Sequence, residues 1–266
     1  MSRLSEPECL LEQYRNASNL NARIQLHARF STNRHGWHQW VFDRFDLGPK
    51  SRILELGCGN GSLWRVNVDR IPPGWDITLS DFSPGMLQEA QRNLCDPQGL
   101  TRFAIIDAQA IPSTSKSFDA VIANHMLYHV PDRARAFSEI LRVLRPGGRF
   151  YASTVGRRHL RELRELMHRF APGSWAGSAA ESFLLENGSE QLGQWFSRVT
   201  VRRYQDGLAV TQAQPLIAYV LSTDARSTLV GAKLAAFTGY VERELAVRGA
   251  IHITKDVGIF EASREA

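Results

Sequence analysis

Cysteine is scarce in this chain: three in 266 residues, Cys9, Cys58 and Cys95, an odd count with no metal-ligand spacing. That pattern speaks against a disulfide framework and against a thiolate metal centre, and it fits reduced thiols in the cytoplasm. Long apolar runs are also missing. No stretch approaches the ~18 apolar residues that a membrane span requires. The first residues, MSRLSEPECLLEQYR, interleave acids with apolar positions and hold no uninterrupted apolar region of the kind a signal peptide carries. A discrete basic patch is lacking as well. The formal charge is +5, but Lys and Arg are dispersed, and the densest cluster, Arg157, Arg158, His159, Arg161 and Arg164, is interrupted by Glu162 and Glu165. A solvated helix face accounts for that cluster more simply than a polyanion-binding stripe, so nucleic acid and membrane are not the expected partners.

What is present is ordinary for a globular chain of this length: 43% hydrophobic and 22% charged residues, enough to bury a substantial core. Residues 51–154 alternate between strand-like and helix-like stretches. Strands are expected at Arg52–Leu56, Asp76–Asp81, Arg102–Asp107, Phe118–Asn124 and Arg149–Thr154. Ser83-Pro84 sets a capping hydroxyl before a proline at the first helical position, and Met86, Leu87, Ala90 and Leu94 follow with helical spacing. Asp132 caps a second helix with Phe137, Ile140, Leu141 and Leu144 on one face, and Pro146-Gly147-Gly148 ends it. Strands separated by helices imply parallel pairing, with helices on both faces of the sheet.

The flanks read differently. Residues 10–46 are helical and too apolar for a free tail, 157–170 form a charged amphipathic helix, and Phe183–Phe196 reads as a helix bent near Asn187-Gly188. Val199–Tyr204 alternates as a strand, 212–248 is helical, and Ala250–Glu261 is a last strand pairing beside 199–204. No linker, repeat or low-complexity tract divides the chain. One domain over 1–266 is therefore expected: a helical cap at 1–46, a core at 47–155, lid segments at 156–195 and 212–248, and terminal strands at 196–210 and 249–262.

The chemistry concentrates at the strand ends, where open parallel sheets bind ligands. Glu55-Leu-Gly-Cys-Gly-Asn-Gly61 opens the first strand into a turn with glycines at 57, 59 and 61. A dinucleotide-binding turn wants its third glycine at position 62, where this chain has Ser62, which places an NAD-dependent oxidoreductase last among the readings. Asp81 closes the second strand and is suited to accept from both hydroxyls of a ribose. Asp107 closes the third and is suited to accept from an adenine amino group, and Asn124 closes the fourth. A lone acid at a strand end is often only a turn former; three polar closures in series carry the argument.

That series resembles the class I S-adenosylmethionine-dependent methyltransferase family. The matching segments are Glu55–Gly61, Asp81-Phe-Ser-Pro-Gly-Met-Leu87, Asp107-Ala-Gln-Ala-Ile-Pro112, Ser117-Phe-Asp-Ala-Val-Ile-Ala123 and Leu141-Arg-Val-Leu-Arg-Pro-Gly-Gly-Arg149. The resemblance implies a Rossmann-like, doubly wound α/β fold with a mostly parallel seven-stranded sheet, an antiparallel last strand and helical lid additions. It implies S-adenosyl-L-methionine as cofactor and S-adenosyl-L-homocysteine as product. By the same resemblance Glu55, Gly57, Cys58, Gly59 and Gly61 line the methionine and ribose portion, Asp81 takes the ribose hydroxyls with Phe82 and Met86 beside the adenosine, and Asp107 with Ala108 meets the adenine edge. Asn124 and His125 lie near the transferring methyl, and Tyr14, with Arg29 as second choice, holds the amino-acid end; a core tyrosine is the competing reading for Tyr14.

One departure narrows the acceptor. Family members acting on nucleobase amino groups or glutamine side chains carry Asn/Asp-Pro-Pro-aromatic after the fourth strand, and this chain has Asn124-His125-Met126-Leu127. The expected acceptor is a small molecule reacting through O, N, S or C. The alternatives are a carrier-tethered acyl group or quinone precursor, and a non-catalytic cofactor-binding protein; monomer and homodimer stay open. His125 and His129 are the general-base candidates, their imidazoles suited to neutral pH; the competing reading packs one against the cofactor and has the other cap the next turn. No metal is expected. Trp37, Trp40, Tyr128 and Trp175 are candidates for the apolar pocket wall.

Overall fold

β-strand character in residues 52–124 comes from short, nearly continuous apolar runs, because successive side chains point to opposite faces and both faces of this sheet are covered. The computed structural model describes residues 11, 12, 14, 15, 18–94, 101–172 and 179–264. Its strands are β1 (Arg52–Leu56), β2 (Asp76–Asp81), β3 (Thr101–Ile105), β4 (Phe118–Asn124), β5 (Leu144–Val155), β6 (Arg198–Val210) and β7 (Ile251–Ser263). They form one sheet in the order β3-β2-β1-β4-β5-β7-β6. β1 pairs in parallel with β2 and β4, with Ile53 opposite Ile77 and Ala120. β7 runs antiparallel to both β5 and β6. The expected seven-stranded sheet, parallel except for its last strand, is what forms.

The helices are α1 (Ser18–Phe30), α2 (Trp37–Phe42), α3 (Ser62–Val66), α4 (Pro84–Asn93), α5 (Arg133–Val143), α6 (Arg161–Phe170), α7 (Gly188–Gly193), α8 (Ala213–Leu221) and α9 (Gly231–Arg248). The two start signals act as read. The Ser83 hydroxyl accepts from the Met86 amide at 3.3 Å, and the Asp132 carboxylate accepts from the Arg135 amide at 3.0 Å. One face of the sheet packs Leu54, Leu56, Val121 and Ala123 with Phe137 and Ile140 of α5. The other packs Ile53, Ile77, Leu79 and Ile122 with Trp40, Phe42, Trp64 and Leu87. A third core joins Leu26 and Phe30 of α1, Leu163 and Met167 of α6, Leu216 and Val220 of α8 and Phe237 of α9. Leu208, Val210 and Ile253 belong to it too, so it sits on the sheet edge where the parallel strands end.

Several boundaries differ from expectation: the strand expected over Val199–Tyr204 runs on to Val210, the helical stretch 212–248 breaks into α8 and α9, α6 starts only at Arg161, and three further differences lie elsewhere. β3 stops at Ile105, so Asp107 lies two residues past the strand, in an isolated bridge to Ala110. β5 starts at Leu144, and Pro146-Gly147-Gly148 bulges within it: Phe118 pairs with Leu144 and Ala120 with Arg149, while Gly147 takes φ 74°. The helix expected over Phe183–Phe196 shrinks to Gly188–Gly193. A Cβ at Gly188 would lie 2.5 Å from the Phe260 ring, so the helix starts where glycine lets it rest on β7.

Candidate functional site

The first turn is built from backbone hydrogen bonds. Leaving β1, the chain takes positive φ at Gly57, Gly59 and Gly61, values that non-glycine residues adopt only with strain. The Cys58 amide donates to the Ser80 carbonyl at 2.8 Å, which stitches the turn to β2. Asp81 completes the stitch: one carboxylate oxygen accepts from the Gly59 amide at 2.9 Å and the other from the Ser83 amide at 2.8 Å. Each oxygen keeps a further lone pair for a ligand hydroxyl. Burial raises the Asp81 pKa, opposed by those amide bonds. At Gly57 a Cβ would approach Met126 Cβ to 2.8 Å, so the turn passes directly under the segment that follows β4.

Behind the turn Glu55 is 2% exposed. It accepts from Trp64 Nε1 at 2.6 Å and Asn124 Nδ2 at 3.1 Å. Burial still pushes its pKa up to about 7. Glu55 thereby fixes the Asn124 amide, whose Oδ1 is buried with no hydrogen-bond partner among the described residues. Buried acceptors are nearly always satisfied, so this carbonyl fits a site meant to receive a donor. Across the sheet, Gln109 Nε2 donates to both oxygens of Asp107, at 3.0 and 3.2 Å, and its backbone amide adds a bond of 2.8 Å.

The turn opens on a cavity of about 2230 Å³, well above the about 300–1,000 Å³ of a single small-ligand pocket. Glu55, Gly57, Cys58, Gly59, Asp81, Phe82, Met86, Asp107, Ala108, Asn124, His125, His129 and Tyr14 all line it. Gly61 does not; it packs against α4, where a Cβ would lie 2.9 Å from Leu94. Arg29 is exposed and off the cavity wall. Trp37 and Tyr128 are on the wall, Trp40 belongs to the core beside it, and Trp175 lies outside the described residues.

The two candidate bases occupy different environments. His125 sits at φ 51° and donates its amide to the Ser153 carbonyl at 3.1 Å. Its ring lies 5.3 Å from Trp37, and burial, with His38 and Lys255 adding repulsion, lowers its pKa to about 4. His129 Nε2 meets the Tyr14 hydroxyl at 3.2 Å, and the Tyr14 carbonyl accepts from the Ser83 hydroxyl at 2.8 Å.

The far side of the cavity carries groups that no short motif announces. Burial lowers His27 to about 3, His38 to about 4, and His159 well below its ordinary value. The His27 and His159 rings stack at 6.0 Å. Lys255 pairs with Asp206 at 2.7 Å, both side chains nearly inaccessible, and Ser31 and the Asn33 amide satisfy the same carboxylate. Arg23, His27, His38 and Lys255 escape the sequence reading because each acts through partners distant in the chain, whereas His159 reads only as part of a solvated basic cluster and Gln109 sits two residues from its partner Asp107. Among the described residues no group of three His, Cys, Asp or Glu is arranged to hold a metal ion.

Comparisons with known proteins bear on this geometry. Residues 54–152 match the family described as "Methyltransferase domain". The ubiquinone/menaquinone biosynthesis C-methyltransferase UbiE of Bordetella parapertussis is 31% identical over 113 residues, 42% of this chain and 44% of that protein. A malonyl-[acyl-carrier protein] O-methyltransferase of Methylococcus capsulatus is 37% identical over 118 residues, 44% of this chain and 42% of that protein. The chain spans less than half the length of these curated relatives. In three dimensions it resembles a Haemonchus contortus phosphoethanolamine N-methyltransferase bound to S-adenosylhomocysteine (TM-score 0.57, 19% identity, 93% of this chain and 57% of that one). It resembles equally the [4+2]-cyclase SpnF (TM-score 0.59, 20% identity, 97% and 96%), so the fold alone does not dictate the reaction. Sequence match, strand order and glycine turn agree, and within this chain residues 54–152 are a methyltransferase domain of the class I S-adenosylmethionine-dependent family.

Proposed function

We propose that this protein transfers a methyl group from S-adenosylmethionine to a small-molecule acceptor enclosed in the cavity. The observation that carries the reading is the glycine turn tied to Asp81 at the mouth of a cavity large enough for two ligands. The residues fit the cofactor. Asp81 retains lone pairs for ribose hydroxyls, Phe82, Met86 and Ala108 offer an adenosine wall, and the unsatisfied Asn124 Oδ1 suits an ammonium donor. Glu55 acts behind Asn124, and Gln109 holds the Asp107 carboxylate.

When bound, the cofactor supplies a methyl carbon that its sulfonium already makes electrophilic. The protein's part is then alignment and exclusion of water, which supply much of the acceleration in such displacements. For a hydroxyl acceptor a base is also needed. His129 suits that role through Tyr14: the pair shares a hydrogen bond at the cavity wall, so the Tyr14 hydroxyl takes the acceptor's proton as it passes its own to His129 Nε2, which ends with the proton. His125 is a poor base, since burial disfavours its charged form. The helices α1, α6, α8 and α9 act as a lid over the acceptor, and the protein works in the cytoplasm. Among the described residues no helix is long and apolar enough to cross a membrane.

A carrier-tethered acyl group or quinone precursor is the second reading, supported by what the matched relatives are named for. Calorimetry with S-adenosylmethionine, S-adenosylhomocysteine and NAD tests the cofactor. Micromolar binding of the first two and none of NAD is expected; NAD binding without the others would refute the reading.

A further inference from the structure

Among the arginines lining the cavity, Arg23 is part-buried and held rigidly, with no carboxylate partner among the described residues. Arg23 projects from α1, donating Nε to the Ser222 hydroxyl at 3.1 Å and Nη2 to the Ser222 carbonyl at 2.7 Å. These bonds dock α1 on the end of α8 and fix the plane of the fork. Its remaining N–H groups reach the Tyr14 hydroxyl but meet no carboxylate among the described residues, and it forms no ion pair there. Asp224, two residues past Ser222, lines the same cavity but is not paired with it. The groups that face Arg23 electrostatically are the hydroxyls of Tyr14, Tyr219 and Tyr128, contributed by three separate elements.

A guanidinium always carries its proton, and a phenol offers a donor at neutral pH. This part of the wall therefore presents a fixed charge beside the hydroxyls of Tyr219 and Tyr128, with no carboxylate paired to it among the described residues. The neighbouring groups do not change this balance. His27 packs edge-on against Tyr219 at 5.9 Å and is neutral, and the positive charge of Lys255 is cancelled by Asp206. A cation taken from water without a partner is costly, and planar bidentate recognition of oxyanions is what the arginine fork does best.

We propose that Arg23, with the hydroxyls of Tyr219 and Tyr128, forms an oxyanion subsite that takes a carboxylate or phosphate on the methyl acceptor. The subsite selects acidic acceptors and rejects cationic amines, because a second positive charge would sit against Arg23 with no acid between them. The proposal rests on the reading that the glycine-turn side of the cavity holds S-adenosylmethionine, which leaves the Arg23 side for the acceptor.

The test is calorimetric titration of inorganic phosphate, and separately of acetate, into the full-length protein saturated with S-adenosylhomocysteine. One of the two anions binds in the millimolar range, and which one does identifies the oxyanion. Arg23→Gln weakens that binding at least tenfold while leaving S-adenosylhomocysteine affinity within about twofold. Tyr219→Phe, which keeps the charge and the Ser222 bonds, weakens it about threefold and serves if Arg23→Gln fails to fold. Neither anion binding, or equal binding to wild type and to the folded variants, overturns the proposal. A tenfold loss of S-adenosylhomocysteine affinity in Arg23→Gln also overturns it, because Arg23 would then hold the cofactor's own carboxylate. If wild type binds no S-adenosylhomocysteine, the cofactor reading fails instead, and the same titrations on the cofactor-free protein decide Arg23 separately.

Discussion

The two sides of the cavity are made by different means. The glycine-turn side is short-range architecture: a strand ends, three glycines turn the chain, and the next strand's Asp81 catches two amides from adjacent turns. The histidine side is long-range architecture. His27, His125, His159 and Lys255 reach it from four distant segments, and a buried charge pair, Lys255 with Asp206, links β7 to β6. A site made of backbone turns tolerates changes in surrounding side chains; a site made of distant side chains depends on the whole lid being packed.

The largest effect expected from that contrast is on the histidine side. Lys255→Met leaves the Asp206 carboxylate buried with its charge uncancelled and should cost about 3–5 kcal/mol, read by chemical denaturation. The double change Lys255→Met with Asp206→Asn should recover much of that loss. A cost below about 1 kcal/mol for the single change would show that the pair does not organise this side.

Next comes the choice between the two histidines. His129→Gln should lower turnover about a hundredfold with a hydroxyl acceptor at saturation, and Tyr14→Phe should lower it by a similar factor. His125→Gln should leave turnover within a few-fold. Near-wild-type turnover for both histidine variants would remove general-base catalysis by either.

On the glycine side, Asp81→Ala should weaken S-adenosylmethionine binding at least tenfold, about 1.4 kcal/mol, without unfolding the protein. Unchanged affinity would refute the ribose contact.

The last effect is a pH slope, gradual where the others are single steps. Glu55 is raised in the folded protein from an ordinary carboxylate value to about 7. The native state therefore holds a proton that the unfolded chain has already lost. Stability is fully present below the unfolded value and falls by up to about 1.4 kcal/mol per pH unit as pH rises through that window to about 7. Glu55→Gln should flatten this decline; an identical slope in both proteins would mean that Glu55 does not carry it.

The same contrast explains what the sequence disclosed. β1, β2 and β4 match their expected bounds because each is bordered by a local signal: the glycine turn, Ser83-Pro84, or the polar Asn124. The order of Asp81 and Asp107 after the glycines was legible for the same reason. Asp107 falls two residues past the end of β3, where Gln109 holds its carboxylate. Gly61 looked like part of the ligand loop, but its missing Cβ makes room for Leu94 of the neighbouring helix region, a contact no spacing rule reveals. On the other side nothing short-range marks Arg23 or Lys255, whose partners Ser222 and Asp206 lie far along the chain. Their positions follow only from how the lid helices pack on β6 and β7.

The central claim is that the cofactor sits on the glycine-turn side and leaves the histidine side for the acceptor. Hydrogen exchange of the wild-type protein with and without S-adenosylhomocysteine tests it most directly. Protection should rise at amides 57–62 and 81–86, with little change at 213–222 until an acceptor is added. Protection confined to 213–222 and 251–257, with none at the glycine turn, would contradict the account.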